Sequence, residues 1–242
     1  MAIVLFSDFG SNDLYVGQVE AVLDRYAPGV RVIHLLHDAP AFRIEASAHL
    51  LAALSQKIPK GHVFLGVVDP GVGGDRAAVV MRADGRWFVG PDNGLFSVIA
   101  ARATARQFWQ IASANARLAP SFHGRDLFAP IAAAVATDDF PNSNVKPVAG
   151  LQVTLGADDL GQIVYIDHYG NAFTGVRAVN VPTEASMRVA GRTVPRAQVF
   201  SAVAPGAGIW YENSIGLVEL AVNQGSAAQA FGLAVGDAVS FI

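Results

Sequence analysis

Short apolar runs alternate with helical-period stretches through the first half of the chain. Residues 2–6 are the first such run, of the kind covered on both faces of a parallel sheet. Leu14, Val19, Val22, Leu23 and Tyr26 then recur at helical spacing, with Asn12 or Asp13 placed as a cap. Pro28-Gly29 stops that helix, and residues 30–36 read as a second buried strand. Ile44, Ala48, Leu51, Leu54 and Ile58 mark another amphipathic helix, and a third strand follows over 63–68. The order β-α-β-α-β predicts a parallel sheet with helices on its faces. A hairpin is expected from 77–81 and 86–89, and helices near 95–103 and 127–136, where Pro130 falls in the first turn.

The pattern changes beyond residues 139–147, which read as a linker. Period-3.6 spacing fades, and 153–155, 161–167, 185–189, 193–199, 208–211 and 217–222 read as short strands separated by turns. The expectation is an α/β N-terminal domain with a mainly parallel sheet over 1–143. A smaller all-β, barrel-like C-terminal domain should follow over 148–242.

Composition narrows the function. At 242 residues and 52% apolar, the chain has ample material for a core in one large or two modest domains. A net charge of -3 leaves no basic footprint, so nucleic acid is not expected as a partner. Mean hydropathy is positive at +0.36, yet no segment is long and apolar enough to span a membrane. The first residues carry no basic region or cleavage pattern, which fits a cytoplasmic protein. With no cysteine there is no thiolate nucleophile and no cysteine-bound zinc. His34, His37, His49, His62 and His168 lack metal-ligand spacing, so neither a metal nor a cofactor is expected.

Chemistry gathers at the breaks. In Gly66-Val67-Val68-Asp69-Pro70-Gly71-Val72-Gly73-Gly74-Asp75-Arg76 an apolar strand stops at a carboxylate, and a glycine-rich loop leads to an arginine. The loop matches neither a dinucleotide fingerprint nor a Walker loop. Arg76 precedes an apolar run, so its stem is partly buried and needs a carboxylate, from Asp69 or Asp126. His123 sits before Arg125-Asp126, either as a helix-start residue or as a functional imidazole. Asp8 follows strand one and precedes a helix, to cap it or to hold ribose hydroxyls. Asp167-His168-Tyr169-Gly170-Asn171 and Asn213-Ser214-Ile215-Gly216, with Glu219 and Asn223 beyond, set carboxylate, aromatic and amide groups at turns. Ordinary turn chemistry fits these runs too, but aromatic and amide together can read a purine, and a carboxylate can hold an ammonium.

Taken together and in order, these runs resemble the S-adenosyl-L-methionine hydroxide adenosyltransferases, hydrolases related to the fluorinase and chlorinase. Tyr15-Val16-Gly17, Gly90-Pro91-Asp92-Asn93-Gly94 and Phe122-His123-Gly124-Arg125-Asp126 share in the likeness, which spans the chain. The resemblance implies conversion of S-adenosylmethionine and water to adenosine and methionine by attack at ribose C5′, without a cofactor. It implies a triad of Asp69, Arg76 and His123 that positions the water. Asp8 would hold the ribose hydroxyls, Phe42 and Tyr169 would flank the adenosine, and Asn171 would read the adenine edge. Asp167 would bind the methionine ammonium, with Ser214 near its carboxylate. It further implies a homotrimer with sites between one subunit's N-domain and its neighbour's C-domain. The halogenating relatives carry a tyrosine where this chain has Asp69, which disfavours halide chemistry. Many relatives carry an aromatic or basic residue where this chain has Ile215. Two other classes compete: a non-catalytic adenosine or S-adenosylmethionine binding module, and a magnesium-dependent phosphoesterase built on Asp8, Asp69 and Asp92.

Overall fold

A computed structural model describes residues 1–112 and 118–242. Contacts divide them into two compact units, Met1–Leu51 with Ile58–Ala157, and Ala52–Lys57 with Asp158–Ile242.

The first unit is built on β1 (Ala2–Ser7), α1 (Tyr15–Tyr26), β2 (Arg31–Leu36), α2 (Ile44–Gln56) and β3 (Val63–Val67). Then follow β4 (Ala78–Ala83), β5 (Arg86–Pro91), α3 (Ser97–Arg102), β6 (Arg106–Ile111), α4 (Ala129–Ala136) and β7 (Val145–Val148). Seven strands form one sheet in the order β2-β1-β3-β5-β4-β6-β7. Strands β2, β1, β3, β5 and β6 run one way, and β4 and β7 run the other. Alternation along β1 and β3 sends Ile3, Leu5, Val63 and Leu65 into a core with Val19 and Leu23 of α1 and Ile131 and Val135 of α4. Small side chains on α4 (Ala129, Ala132, Ala133, Ala136), all buried, let that helix sit close. Rings elsewhere in the unit stack, Phe64 on Phe88 at 4.9 Å.

Three expectations change here. Residues 30–36 read as buried on both faces, but β2 is the sheet edge, with Arg31 and His34 exposed. The stretch read as a linker runs into β7, which pairs with β6, a strand the apolar pattern did not announce. Residues 153–155 form no strand, and the backbone at Gln152 and Val153 is held by side chains instead. Ser97 Oγ donates to the Val153 carbonyl at 2.7 Å, and Asp92 accepts the Gln152 amide at 2.9 Å.

The second unit is mainly sheet: β8 (Leu160–Ile166), β9 (Ala172–Arg177), β10 (Met187–Val189), β11 (Arg192–Val194), β12 (Gly208–Glu212), β13 (Leu217–Val222) and β14 (Val239–Phe241), with α5 (Ala227–Phe231) before the last. They form a four-stranded antiparallel sheet, β12-β13-β9-β8, and a three-stranded one, β11-β10-β14. Strand β13 is buried along its whole length, and its two faces differ. Val218, Leu220 and Val222 join Trp210, Met187 and Ile163 in the core. Tyr211 of β12 and Phe173 of β9 are the cross-strand partners of Glu219 and so share its opposite face.

Candidate active site

Strands β1 and β3 are parallel neighbours, so the loops at their carboxyl ends open on the same edge, where the order turns from β2 to β3 across β1. A cleft of about 350 Å³ opens there, lined by Asp8, Phe42, Asp69, Val72 and His123. Arg76 crosses back along the glycine loop to Asp69. Its Nε donates to both carboxylate oxygens at 3.0 Å, and Nη2 donates to Oδ2 at 2.5 Å. Both side chains are nearly enclosed, 12% and 4% exposed. The same Nη2 reaches His123 Nδ1 at 2.9 Å, and the guanidinium lies over the Phe128 ring at 5.1 Å.

An arginine only donates, so His123 Nδ1 accepts and the ring proton rests on Nε2. Burial, and then the Arg76 charge, hold the His123 pKa below its ordinary value, which keeps the ring neutral. His123 precedes a π-helical turn, Gly124–Phe128, that leads into α4. Of the two partners open to Arg76, Asp69 is the one used. Asp126 instead takes Arg125 at 2.6 Å and the Ala119 amide at 2.9 Å, which fixes the turn carrying His123.

Asp8 does not cap α1; the Leu14 amide is taken by Asp13 at 2.6 Å. Its carboxylate accepts the Phe42 amide at 3.3 Å, and burial raises its pKa, with the Asp69 charge adding to the rise. Phe42 stands in the left-handed region at φ 62° and is 75% exposed, a strained backbone at the rim of a cleft. Asp92, 6% exposed, holds the amides of Gln152 and Val153 and does not line the cleft. The phosphoesterase reading loses one of its three acids, and no group of three or more metal-binding side chains occurs among the described residues. His34 and His37 also find structural work, in a chain from Glu20 (2.9 Å) through His34 to His37 (2.7 Å) and on to Ser7 (3.1 Å).

The second unit has its own pocket, of about 750 Å³, which gathers Asp167, Tyr169, Asn171 and Ser214. Asp167 organises its loop by accepting the amides of Tyr169 and Asn171 and the Asn171 side chain. Tyr169 is 74% exposed at the rim, whereas Asn171 is buried. The same pocket contains Asn213 and Glu219, which the sequence offered only as part of a polar cluster at a turn, and Phe200 and Tyr211, which it did not single out. The available signal was an acid in the middle of the otherwise apolar strand Leu217–Val222.

Both units match known proteins. Residues 3–144 match the SAM hydroxide adenosyltransferase N-terminal domain, and 161–240 the C-terminal domain of the same family. An (R)-S-adenosyl-L-methionine hydrolase of Thermus thermophilus is 38% identical over 99% of each chain. A fluorinase of Actinopolyspora mzabensis is more distant, at 23% identity over 98% of this chain and 95% of that one. The crystal structure of an uncharacterized conserved protein from Thermotoga maritima superposes with a TM-score of 0.89 at 29% identity, covering 99% of both chains. With both domains matched in order and a curated relative aligned end to end, the chain belongs to the SAM hydroxide adenosyltransferase family.

Proposed function

We propose that this chain hydrolyses S-adenosyl-L-methionine, in the (R) sulfonium form that its relative's name specifies, to adenosine and L-methionine. The observation that carries this reading is that Asp69 and His123, bridged by Arg76 behind them, line the same cleft as Asp8. A sulfonium is already a good leaving group, so the protein need only orient a partly desolvated water. The water oxygen bonds to ribose C5′ as the C5′–S bond breaks. The bond pair leaves with sulfur, and methionine departs as a neutral thioether. Because Arg76 occupies Nδ1, His123 serves as an Nε2–H donor that orients the water, and Asp69 accepts the proton released.

Asp8 holds the ribose 2′ and 3′ hydroxyls, Phe42 and Tyr169 flank the adenosine, and Asn171 reads the adenine edge. Asp167 takes the ammonium, with Ser214 near the carboxylate. Each unit thus holds half of the groups the substrate needs, each with exposed aromatics at its rim. A cytoplasmic homotrimer, with the cleft of one subunit completed by the barrel-like C-terminal domain of its neighbour, would unite them.

Purified protein incubated with S-adenosylmethionine should release adenosine and methionine in equal amounts, unaffected by a chelator. Added chloride or fluoride should give no 5′-halogenated product. Tight binding without any product over long incubation would instead mark a binding module.

A further inference from the structure

The two acids of the second unit's pocket are used very differently. Asp167 is nearly spent on its own loop. Its Oδ1 accepts the amides of Tyr169 (2.9 Å) and Asn171 (2.8 Å), and Oδ2 accepts Asn171 Nδ2 at 3.0 Å. With about four lone-pair positions on a carboxylate, roughly one remains for a ligand. Glu219 is only 3% exposed, yet among the described residues its carboxylate is met only by the Tyr211 hydroxyl, at Oε1, and, in poorer geometry, by the Asn213 amide.

Asn213 stands beside it, 7% exposed, and its amide draws the Glu219 pKa back down against the larger effect of burial. Its Oδ1 is used by the amides of Ile215 (3.1 Å) and Leu217 (2.9 Å), while its buried Nδ2 has no hydrogen-bond partner of acceptable geometry. A buried carboxylate with spare acceptor capacity is costly unless a cation or donor completes it. No lysine or arginine is among the described residues lining this pocket.

We propose that Glu219, held in place by Tyr211, is a second anionic anchor for the substrate's ammonium group and carries more of the specificity for an aminated tail than Asp167 does. The inference rests on the reading of S-adenosylmethionine as substrate. A primary ammonium brings three donors, one for the remaining position on Asp167 and the others for Glu219. A cation there also opposes both influences that disfavour the Glu219 charge, burial and the neighbouring Asp167.

The variant Glu219→Gln keeps the shape and still accepts the Tyr211 hydroxyl, but removes the charge. Three probes separate the roles by calorimetry: S-adenosylmethionine, its decarboxylated form, which keeps the ammonium, and 5′-methylthioadenosine, which has no amino group. Both aminated ligands should lose roughly ten- to hundred-fold in affinity, the range of a hydrogen bond to a charged group, while the third changes by less than about two-fold. In turnover the loss should fall on KM more than on kcat. An equal loss for all three ligands would show that Glu219 only shapes the pocket, and unchanged affinity for S-adenosylmethionine would overturn the proposal as directly. If the variant shows this ligand pattern but wild-type protein forms no product, the hydrolase reading sinks and the Glu219 anchor stands. Wild-type protein that binds none of the three probes overturns both.

Discussion

In the cleft of the first unit Asp69, Arg76 and His123 are committed to one another before any ligand arrives. Asp69 accepts three hydrogen bonds from Arg76, and Arg76 spends a further one on His123. In the pocket of the second unit the balance is left incomplete: Glu219 is held by Tyr211 with the Asn213 amide beside it, and among the described residues the buried Asn213 Nδ2 has no hydrogen-bond partner of acceptable geometry. On the proposed reading, the difference separates two kinds of work. Groups that must act on a reacting atom are held rigid by one another, so little reorganisation is needed at the moment of reaction. Groups that must recognise a ligand keep open the positions that the ligand's own donors fill.

Removing one partner from each region should therefore have opposite consequences. Arg76→Ala strands a carboxylate that is 4% exposed, and breaking such a pair costs about 3–5 kcal/mol. Turnover should fall by about 10²–10⁴, the range of a positioned proton-transfer group. The double variant Asp69→Ala/Arg76→Ala should stay as inactive yet unfold at higher urea concentration than Arg76→Ala alone, since no orphaned charge remains. A double variant no more stable than the single would show that the two groups are not coupled. In contrast, Glu219→Gln leaves no ion without its partner, so ligand-free stability should hold or rise while affinity falls.

A smaller effect comes from two glycines that shape the loops on either side of this comparison. Gly73 lies at φ 80°, and a Cβ there would stand 2.5 Å from the Pro120 carbonyl oxygen. Gly170, at φ 82°, leaves no room for one either: its Cβ would lie 2.0 Å from Ser226 Oγ, which caps α5 by accepting the Gln229 amide. Each alanine variant should lose about 1–3 kcal/mol from backbone strain and displacement. Their kinetic signatures should diverge. Gly73→Ala disturbs the approach of the Asp69 and His123 loops and should lower kcat, whereas Gly170→Ala disturbs the Asp167–Asn171 loop and should raise KM. Identical signatures would mean that the two regions do not divide the labour.

The alternating pattern disclosed most of the first unit because its strands are apolar throughout and its helices keep one apolar stripe. Strand β2 was readable as a strand but not as an edge, since apolar content alone does not reveal sheet order. Strands β6 (Arg106–Ile111) and β7 went unseen because polar residues interrupt both. At the site, Asp69, Arg76 and His123 each stood out at a break in an apolar run, but only the family resemblance grouped them. The choice of Asp69 over Asp126 as the arginine's partner needed three dimensions, because both lie at comparable breaks. Glu219 was visible as an acid, but its place on the non-core face of β13 depends on register with Tyr211 and Phe173, and short strands carry no such information.

The subtlest test of the comparison is acidity. Folding lowers the His123 pKa from its ordinary 6.5, through burial first and the Arg76 charge second. Between that value and the lowered one, the unfolded chain binds a proton that the folded chain refuses. Stability therefore rises with pH across this window, and the contribution is lost as pH falls through it. Protonation would put a hydrogen on Nδ1 against the Arg76 N–H, so kcat should stay level down to pH values below 6.5 and fall only at still lower pH. Glu219 moves the other way: burial raises its pKa from 4.5, so the affinity owed to its charge should fade at a pH above the ordinary carboxylate range. Wild-type protein should thus show separate limbs, one in kcat from the first unit and one in KM mainly from the second. Glu219→Gln should shrink the KM limb to the part owed to Asp8, whose pKa burial also raises, and leave the kcat limb in place. A kcat that already declines at or above pH 6.5 would mean that burial and the Arg76 charge do not keep the imidazole neutral, and the contrast between a closed catalytic cluster and an open recognition pocket would lose its first half.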